Sequence, residues 1–337
     1  MEGTTIKDVA RQADVSPATV SRVLNDSSKV REETRLKVVE AIKELEYEVN
    51  ESARTLRTKT SRLIGVIGAR LNNPFLMDLL QAAEAIARKE GFNLLLGDTG
   101  DSLLKKIDHL QIMKQKNVDG IIIISSSWQE DFLKELEKSP LPAIIASGHI
   151  RRKKISSTGI NNRKAAEEVI EYLHENNHNK IGIIRGPLSD KISSEERLGG
   201  VKKAFKNLNI CWREELCFAG DFSFESGYRG ARELIKKEKD LTAIFAFDDR
   251  MAIGAMRGAE SLGKSIPGDI SVVGFDDIEL SRFVKPSLTT VHQPCSRLGK
   301  AAMKLLISTI EGRSEENKHV QIEHELVKRE STEKGGV

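Results

Sequence analysis

The chain of 337 residues lacks the features that mark exported, membrane-spanning and metal-binding proteins. Its three cysteines, Cys211, Cys217 and Cys295, have no metal-ligand spacing, so we expect reduced and chemically inert thiols. The N-terminus has no basic segment followed by an apolar run, and no stretch approaches membrane-spanning length. We therefore expect a cytoplasmic protein that does not contact a membrane.

A charge bias and a recognisable catalytic motif are also missing. The 53 basic residues nearly balance the 50 acidic ones, so the net charge of +3 does not indicate a nucleic-acid partner. The histidines are scattered, and none lies in a nucleophile or metal motif. We expect neither an enzyme nor a bound metal or cofactor.

One motif would indicate an enzyme, because residues 258–265, GAESLGKS, match the sequence pattern of a nucleotide-binding P-loop. A working P-loop follows a strand and opens a helix, so that backbone amides meet the phosphates. Here the helix, Arg250 to Leu262, comes first, and Gly263 is placed as its C-terminal stop. The order of elements therefore argues against an NTPase.

The most informative segment is TTIKDVARQADVSPATVSRVLN, Thr4 to Asn25, which predicts two short helices joined by a tight turn. Apolar residues recur at helical spacing, Thr5 and Ser16 stand at capping positions, and Pro17 takes a first helical position. A third helix is predicted from Glu32 to Leu45. The second helix presents short side chains, two of them polar, and one guanidinium: Ala18, Ser21, Asn25 and Arg22. Such a face fits the DNA major groove, although an ordinary helical hairpin has the same spacing.

A basic segment, ESARTLRTKTSRL at residues 51–63, follows the third helix. Leu56 is isolated among Arg54, Arg57 and Lys59. The sequence of this segment is compatible with two hypotheses: a solvated linker, or a segment that inserts Leu56 as a wedge into a DNA minor groove.

These segments and several later motifs resemble the lactose-repressor (LacI/GalR) family of transcriptional regulators. The similarity extends to about Thr332. Within the family, two segments resemble ribose-type repressors: SRLIG from Ser61 and LQIMKQKNVDGII from Leu110. The later motifs are EETRLKVVEAIKELEY (Glu32), NESARTL (Asn50), NNPF (Asn72), VDGIII (Val118), GDFSFESGY (Gly220), VVGFDD (Val272) and PSLTTVHQP (Pro286).

The resemblance implies an all-α helix-turn-helix head joined by a hinge to an α/β two-lobed sensor body, built like periplasmic binding proteins from doubly wound parallel sheets. Short apolar runs alternating with amphipathic helical stretches independently predict parallel sheets covered on both faces. LTTVHQP from Leu288, with a helix at Arg297 to Glu311, is expected to return to the first lobe. The expected boundaries are 1–48 for the head, 49–61 for the hinge, 62–332 for the body (lobe 1, 62–160 and 293–322; lobe 2, 161–291) and 333–337 for a tail.

The two regions supply the candidate site residues. By resemblance, the DNA contacts are Thr5, Ser16, Pro17, Ala18, Thr19, Ser21, Arg22, Asn25, Leu56 and Arg57. A small ligand is expected outside the carboxyl ends of the strands, between the lobes. By resemblance, the effector contacts there are Phe75, Ser147, Arg197, Phe222, Asp248, Asp276 and Gln293. Taken singly, these residues have other readings: Asp276 as a helix cap, Phe222 as core, and Arg197 as a surface ion pair.

We therefore predict a homodimeric repressor that reads a pseudo-palindromic operator and responds to a neutral polyhydroxyl ligand, such as a sugar. Ser147-Gly148-His149 stands where monosaccharide-binding members often carry an Asp-Arg pair, which argues against ribose. The alternative is a global catabolite-control regulator whose partner is a phosphorylated carrier protein. An extracytoplasmic sugar-binding protein would have no use for residues 1–60. No heptad helix follows Ser331, which favours a dimer over a tetramer.

Overall fold

The computed structural model describes residues 4–25, 30–47, 60–68, 70–124, 129–149, 155–313 and 317–335. The chain divides into two compact units: a head, residues 1–61, and a body, residues 62–337. Leu56 and Arg57 lie outside the described residues, as does the side chain of Asn25. Across the described ranges, no helix combines the length and apolar character needed to cross a membrane.

The head contains three helices: α1 (Ile6–Gln12), α2 (Pro17–Asn25) and α3 (Glu32–Glu44). They share a small apolar core that includes Val9, Val20 and Val38, each fully buried. Asp14 has a φ of 51° and turns the chain between α1 and α2. The predicted helix-turn-helix is therefore confirmed.

The first lobe of the body is a six-stranded parallel sheet in the order β11-β5-β4-β3-β1-β2. Helices cover both faces, and separate apolar clusters lie on the two sides of the sheet. The elements of this lobe are β1 (Leu63–Gly68), α4 (Pro74–Lys89), β2 (Asn93–Asp98), α5 (Leu103–Gln115), β3 (Gly120–Ile124), α6 (Glu130–Lys138), β4 (Ala143–Ala146), β5 (Ile155–Gly159), α12 (Cys295–Ile310) and β11 (His319–Gln321).

The second lobe repeats this architecture in the order β12-β10-β9-β8-β6-β7, with β12 antiparallel to β10. Its elements are α7 (Asn162–Glu175), β6 (Ile181–Arg185), a π-helix (Lys191–Glu196), α8 (Arg197–Asn207), a 3-10 turn (Glu214–Leu216), β7 (Cys217–Ala219), α9 (Phe224–Lys237), β8 (Ala243–Ala246), α10 (Asp249–Glu260), β9 (Ser271–Asp276), α11 (Leu280–Phe283), β10 (Thr289–His292) and β12 (Glu325–Val327).

The chain passes between the lobes after β5, after β10 and after β11. The strand within LTTVHQP therefore pairs with β9 in the second lobe, and only the helix after it returns to the first lobe. Two second-lobe side chains pack into the first lobe: Ile192 and Ile278 are both buried among its apolar residues. The predicted doubly wound, two-lobed body is confirmed.

Helices α9 and α10 cross so closely that only glycine fits at the contact. A Cβ on Gly227 would lie 2.0 Å from the carbonyl oxygen of Met251, and one on Gly254 would lie 2.0 Å from that of Phe224. This close approach places the N-termini of the two helices, at Ser223 and Asp248, beside each other.

Candidate functional site

The exposed face of α2 is the candidate nucleic-acid surface of the head. Ser16 caps the helix by accepting a hydrogen bond from the Thr19 amide at 3.2 Å, as its position predicts. Pro17, Ala18 and Arg22 are exposed. Short side chains around one exposed guanidinium leave the backbone of α2 free to approach the base edges in a major groove.

The remaining predicted DNA contacts differ in their surroundings. Thr5 is exposed at the start of α1, and its hydroxyl donates to Asp8 Oδ2 at 2.6 Å. Thr19 and Ser21 are half-buried on α2, and Thr19 Oγ1 lies 3.0 Å from Ser16 Oγ. The backbone of Asn25 ends the helix.

The body contains a cleft between its lobes, with about 700 Å³ of free space when the solvent at its open mouth is included. A cleft between two lobes is a usual place for a small ligand. All seven predicted effector contacts line it: Phe75, Ser147, Arg197, Phe222, Asp248, Asp276 and Gln293. They come from segments far apart in the sequence that meet because the carboxyl ends of parallel strands share an edge of each sheet.

Arg197 is the most constrained of these side chains and is not a surface ion pair. It is buried, its Nε donates to Asn162 Oδ1 at 2.9 Å, and its Nη1 donates to the carbonyl oxygen of Phe247. Its Cζ lies 3.5 Å from the centre of the Phe275 ring. These contacts fix the orientation of the guanidinium, whose Nη2 lies 3.9 Å from Asp276 Oδ1.

Asp276 does not cap a helix. Its Oδ1 accepts a hydrogen bond from Gln293 Nε2 at 2.7 Å, and burial raises its pKa well above the ordinary value. Both of its described polar contacts are to Oδ1, so Oδ2 is available to a ligand. The cap is instead Asp248, whose Oδ1 accepts from the Met251 amide at 2.8 Å, and burial raises the pKa of this carboxyl to about 6.

Four residues of the cleft have positive φ angles, which non-glycine residues rarely adopt. The values are 64° for Asp101, 66° for Ser147, 64° for Phe222 and 122° for Asp276. Strained backbone of this kind is concentrated at functional sites because surrounding structure must hold it in place. Phe222 is half-buried, with its ring over Gly186, so it is not an interior core residue.

Eight further residues line the cleft. The apolar residues are Leu76, Ile124 and Ala146, which lie on the buried elements α4, β3 and β4. The polar ones that sequence reasoning did not select are Arg70, Asn73, Asp101, Ser193 and Arg250. Arg70 and Asp101 lie in the loops that follow β1 and β2, and this position after a strand is the signal that could have found them.

A buried carboxyl beside the cleft predicts an unusual pH dependence of stability. Asp249 accepts hydrogen bonds from the Ile278 amide at 2.8 Å and from the Thr290 hydroxyl, and burial raises its pKa to about 7. Between the unfolded pKa near 3.9 and about 7, the folded state binds more protons than the unfolded state, so stability falls as pH rises through this window. We expect a decrease of about 1 to 3 kcal/mol between pH 5 and pH 7.5 in urea unfolding of the protein.

The matched variant for this measurement is Asp249→Asn, which cannot ionise. Its unfolding free energy should change less over the same pH window, because Asn can accept from the Ile278 amide and donate to Thr290. Equal slopes for the wild type and the variant would contradict the assignment to Asp249.

Two family models match the sequence. The model described as bacterial regulatory proteins, lacI family, matches residues 5–50, and the model described as a periplasmic binding protein-like domain matches residues 170–332. These matches cover the head and most of the second lobe.

Relatives match over nearly the whole chain. Catabolite control protein A of Priestia megaterium is 35% identical over 97% of this chain and 99% of its own length. The HTH-type transcriptional repressor PurR of Aliivibrio salmonicida is 35% identical over 98% of this chain and 99% of its own. The Lac repressor dimer bound to operator and the anti-inducer ONPF has a TM-score of 0.86 and 29% identity, covering 98% of this chain and 100% of its own.

Proposed function

The chain belongs to the LacI family of bacterial regulatory proteins, and we propose that a small effector bound in the cleft controls how tightly the head binds DNA. The protein is a DNA-binding transcriptional repressor rather than an enzyme. The observation that carries the proposal is that side chains chosen from the sequence for effector contact all line one cleft.

The chemistry of the cleft suits a ligand with hydroxyl groups. Asp276 Oδ2 offers an acceptor, Arg197 and Gln293 offer donors, and the half-buried ring of Phe222 can cover an apolar face of the ligand. Polar groups held by buried partners keep their positions when a ligand arrives, which limits the entropy lost on binding.

Regulation requires that the ligand bind the open and closed forms of the body with different affinities. The lobes touch each other near the cleft: Ile192 packs in the first lobe, and Arg70 Nη1 donates to the carbonyl oxygen of Asp221 at 3.0 Å. A ligand that contacts both lobes would favour the closed form, and this change would pass to the residues that join the body to the head.

We also propose that α2 reads base edges in the major groove and that two heads bind a pseudo-palindromic operator. Pro17, Ala18 and Arg22 form the exposed base-reading face. The Lac repressor in the complex described above is a dimer on its operator, and dimer symmetry matches a two-fold operator.

The second copy is expected to cover exposed apolar side chains on both lobes. Leu96 lies on the edge strand β2 and is 44% exposed, and Phe283 on α11 is 72% exposed. Edge strands and large exposed apolar residues are unfavourable in water and mark association surfaces. We propose that both lobes contribute to one dimer interface.

Phe283→Glu is therefore expected to weaken dimerisation by about tenfold or more, because it places an unpaired charge in an apolar interface. Sedimentation at several protein concentrations measures the effect. Leu188→Glu is the matched control, since Leu188 is also exposed (46%) but follows β6 and belongs to neither α11 nor β2. If Phe283→Glu leaves the dimer intact, α11 is not in the interface.

The carrier-protein alternative is not favoured. The identity to catabolite control protein A, 35%, is no higher than the identity to PurR. The identity to catabolite control protein A therefore gives no reason to prefer a phosphorylated carrier protein over a small molecule as the signal.

The experiment that tests the effector proposal has two steps. Sugars, nucleosides and related metabolites are first screened for an increase in melting temperature, since a ligand present at 100 times its Kd stabilises by about 2.7 kcal/mol. Each hit is then added to an operator titration. A hit that stabilises the protein and changes operator affinity supports the proposal, whereas stabilising ligands that all leave operator affinity unchanged would contradict it.

A further inference from the structure

Three guanidinium groups line the cleft, and they differ in how they are satisfied. Arg197 is held by Asn162, Phe247 and Phe275. Arg70 and Arg250 are half-buried, and neither has an ion pair with a carboxylate among the residues that the structure describes. A charged group at the wall of a pocket without an acidic partner is favourable only if water or a ligand completes its hydrogen bonds.

The contacts of Arg70 and Arg250 orient them without using up their donors. Arg70 donates through Nη1 to the backbone carbonyl of Asp221, which leaves other N–H groups of the guanidinium for a ligand. Arg250 lies over the Phe224 ring, with its Cζ 5.2 Å from the ring centre. This cation–π contact holds the guanidinium near the ring without consuming its N–H donors.

The acidic side chains of the cleft are satisfied by other groups. Asp101 Oδ1 lies 3.2 Å from the ammonium of Lys106, which is fully buried. Asp248 caps α10, and Asp276 accepts from Gln293. In the described part of the chain these carboxyls form no close ion pair with Arg70 or Arg250, although Asp248 lies within reach of the charge of both and Asp221 within reach of that of Arg70.

The three arginines also converge on one part of the cleft. Arg250, Arg197 and Arg70 all lie close enough to Asp248 to oppose the rise in the pKa of its carboxyl that burial causes. Burial raises the pKa of Asp248 to about 6 and that of Asp276 well above its ordinary value, whereas the guanidinium groups stay charged.

We propose that the effector carries an acidic group, a carboxylate or a phosphate, and that Arg70 and Arg250 bind it. This inference rests on the proposed effector site and replaces the neutral ligand predicted from the sequence with an acidic one, such as a sugar acid or a sugar phosphate. Guanidinium groups match the geometry of carboxylate and phosphate oxygens and form charge-assisted hydrogen bonds to them.

The position of the two arginines also connects the acidic group with regulation. Arg70 follows β1 in the first lobe, and Arg250 lies in the first turn of α10 in the second lobe. An anion held by both would join the lobes directly. It would bind the closed form more tightly than the open form, which is the condition for a shift in population.

The test uses simple anions, so it does not depend on knowing the effector. Melting temperature is measured for three proteins: the wild type, the double variant Arg70→Gln/Arg250→Gln, and Arg232→Gln. Each protein is measured at the same ionic strength in chloride, in inorganic phosphate and in acetate. Arg232 is the matched control, because it is half-buried and lies over the Tyr228 ring (Cζ 5.4 Å from the ring centre) but does not line the cleft.

We expect phosphate or acetate to raise the melting temperature of the wild type and of Arg232→Gln but not of the double variant. A response to phosphate alone assigns a phosphate ligand, and a response to acetate alone assigns a carboxylate. Equal responses in all three proteins, or no response to either anion in the wild type, would overturn the inference.

A second experiment compares each neutral sugar with its uronic acid and its phosphate ester. Calorimetry measures the affinity of each compound for the protein, and operator titration measures its effect on DNA binding. The acidic member that binds should lose about tenfold or more in affinity in the double variant, because charge-assisted hydrogen bonds are removed. If neutral sugars change operator affinity equally in the wild type and the double variant, the effector site stands and the acidic ligand is wrong. If anions bind through these arginines but no cleft ligand changes operator affinity, the acidic site stands and the regulatory proposal is wrong.

Discussion

Arg22→Ala is expected to weaken binding to a selected operator by about 1 to 3 kcal/mol per half-site, and so by about 2 to 6 kcal/mol for a dimer that contacts two half-sites. Arg22 is the long cationic side chain on the exposed face of α2, where its neighbours Pro17 and Ala18 are short. A guanidinium in this position can donate two hydrogen bonds to the O6 and N7 atoms of guanine. Removing it should also flatten the preference at one base pair of each half-site.

The measurement is a binding-site selection from random duplexes, followed by titration of the selected and a scrambled duplex. Lys37→Ala is the control, because Lys37 is an exposed cation on α3 that pairs with Glu33 and lies outside the α2 face. Binding to scrambled DNA should change little in either variant, since non-specific affinity depends on many phosphate contacts. A variant that returns the wild-type consensus with wild-type affinity would show that α2 does not face the bases through Arg22.

The head could be predicted from sequence almost completely, because its structure is determined by local signals. Ser16, Pro17 and the apolar spacing of α1 and α2 each indicate the same helices, and burial of Val9, Val20 and Val38 agrees with them. The wedge predicted at Leu56 lies outside the described residues and stays a prediction, as do the domain boundaries.

In the body, apolar runs in the sequence do not indicate every strand. Short apolar runs coincide with β1, β3, β4 and β6, whereas β5 reads ISSTG and contains no such run. Its polar side chains are nevertheless buried, because Ser156 Oγ accepts from the Lys318 amide at 3.0 Å and Ser157 Oγ lies 2.8 Å from His319 Nδ1. These partners are over 160 residues away, so no local pattern could reveal them.

The cleft was predictable where a residue follows a strongly apolar strand within a family motif. Asp276 ends the apolar strand β9 within the motif VVGFDD, and Asp248 follows the apolar strand β8. Their local roles could not be predicted from sequence, because Asp248 caps a helix and Asp276 does not. Arg70 and Arg250 were missed because an arginine near a strand end is usually a surface residue. Only the tertiary structure shows that both line the same cavity.

Asp276→Ala is expected to abolish the effector response while leaving operator binding without ligand near the wild-type level. The substitution removes the acceptor available to a ligand hydroxyl and the partner of Gln293, and it leaves the buried Arg197 without its nearest carboxylate. A ligand that changes operator affinity 10- to 100-fold corresponds to a coupling free energy of about 1.4 to 2.7 kcal/mol, and this coupling should vanish.

Two further variants keep this prediction interpretable. Asp276→Asn retains an acceptor for Gln293 and resembles the protonated carboxyl, so it should fold normally and keep part of the response. Asp240→Ala removes an exposed carboxylate that pairs with Lys180 outside the cleft, and it should respond like the wild type. Melting temperatures identify any variant that loses its response by unfolding.

The most direct test of the account is an operator titration of the wild type and of Asp276→Ala, with and without the ligand that the thermal screen identifies. We predict a 10- to 100-fold change in the operator affinity of the wild type with ligand, and a change of less than about twofold in the variant. A variant that responds as the wild type does would exclude Asp276 from the site. A wild type whose operator affinity ignores every ligand bound in the cleft would contradict the claim that the cleft controls the head.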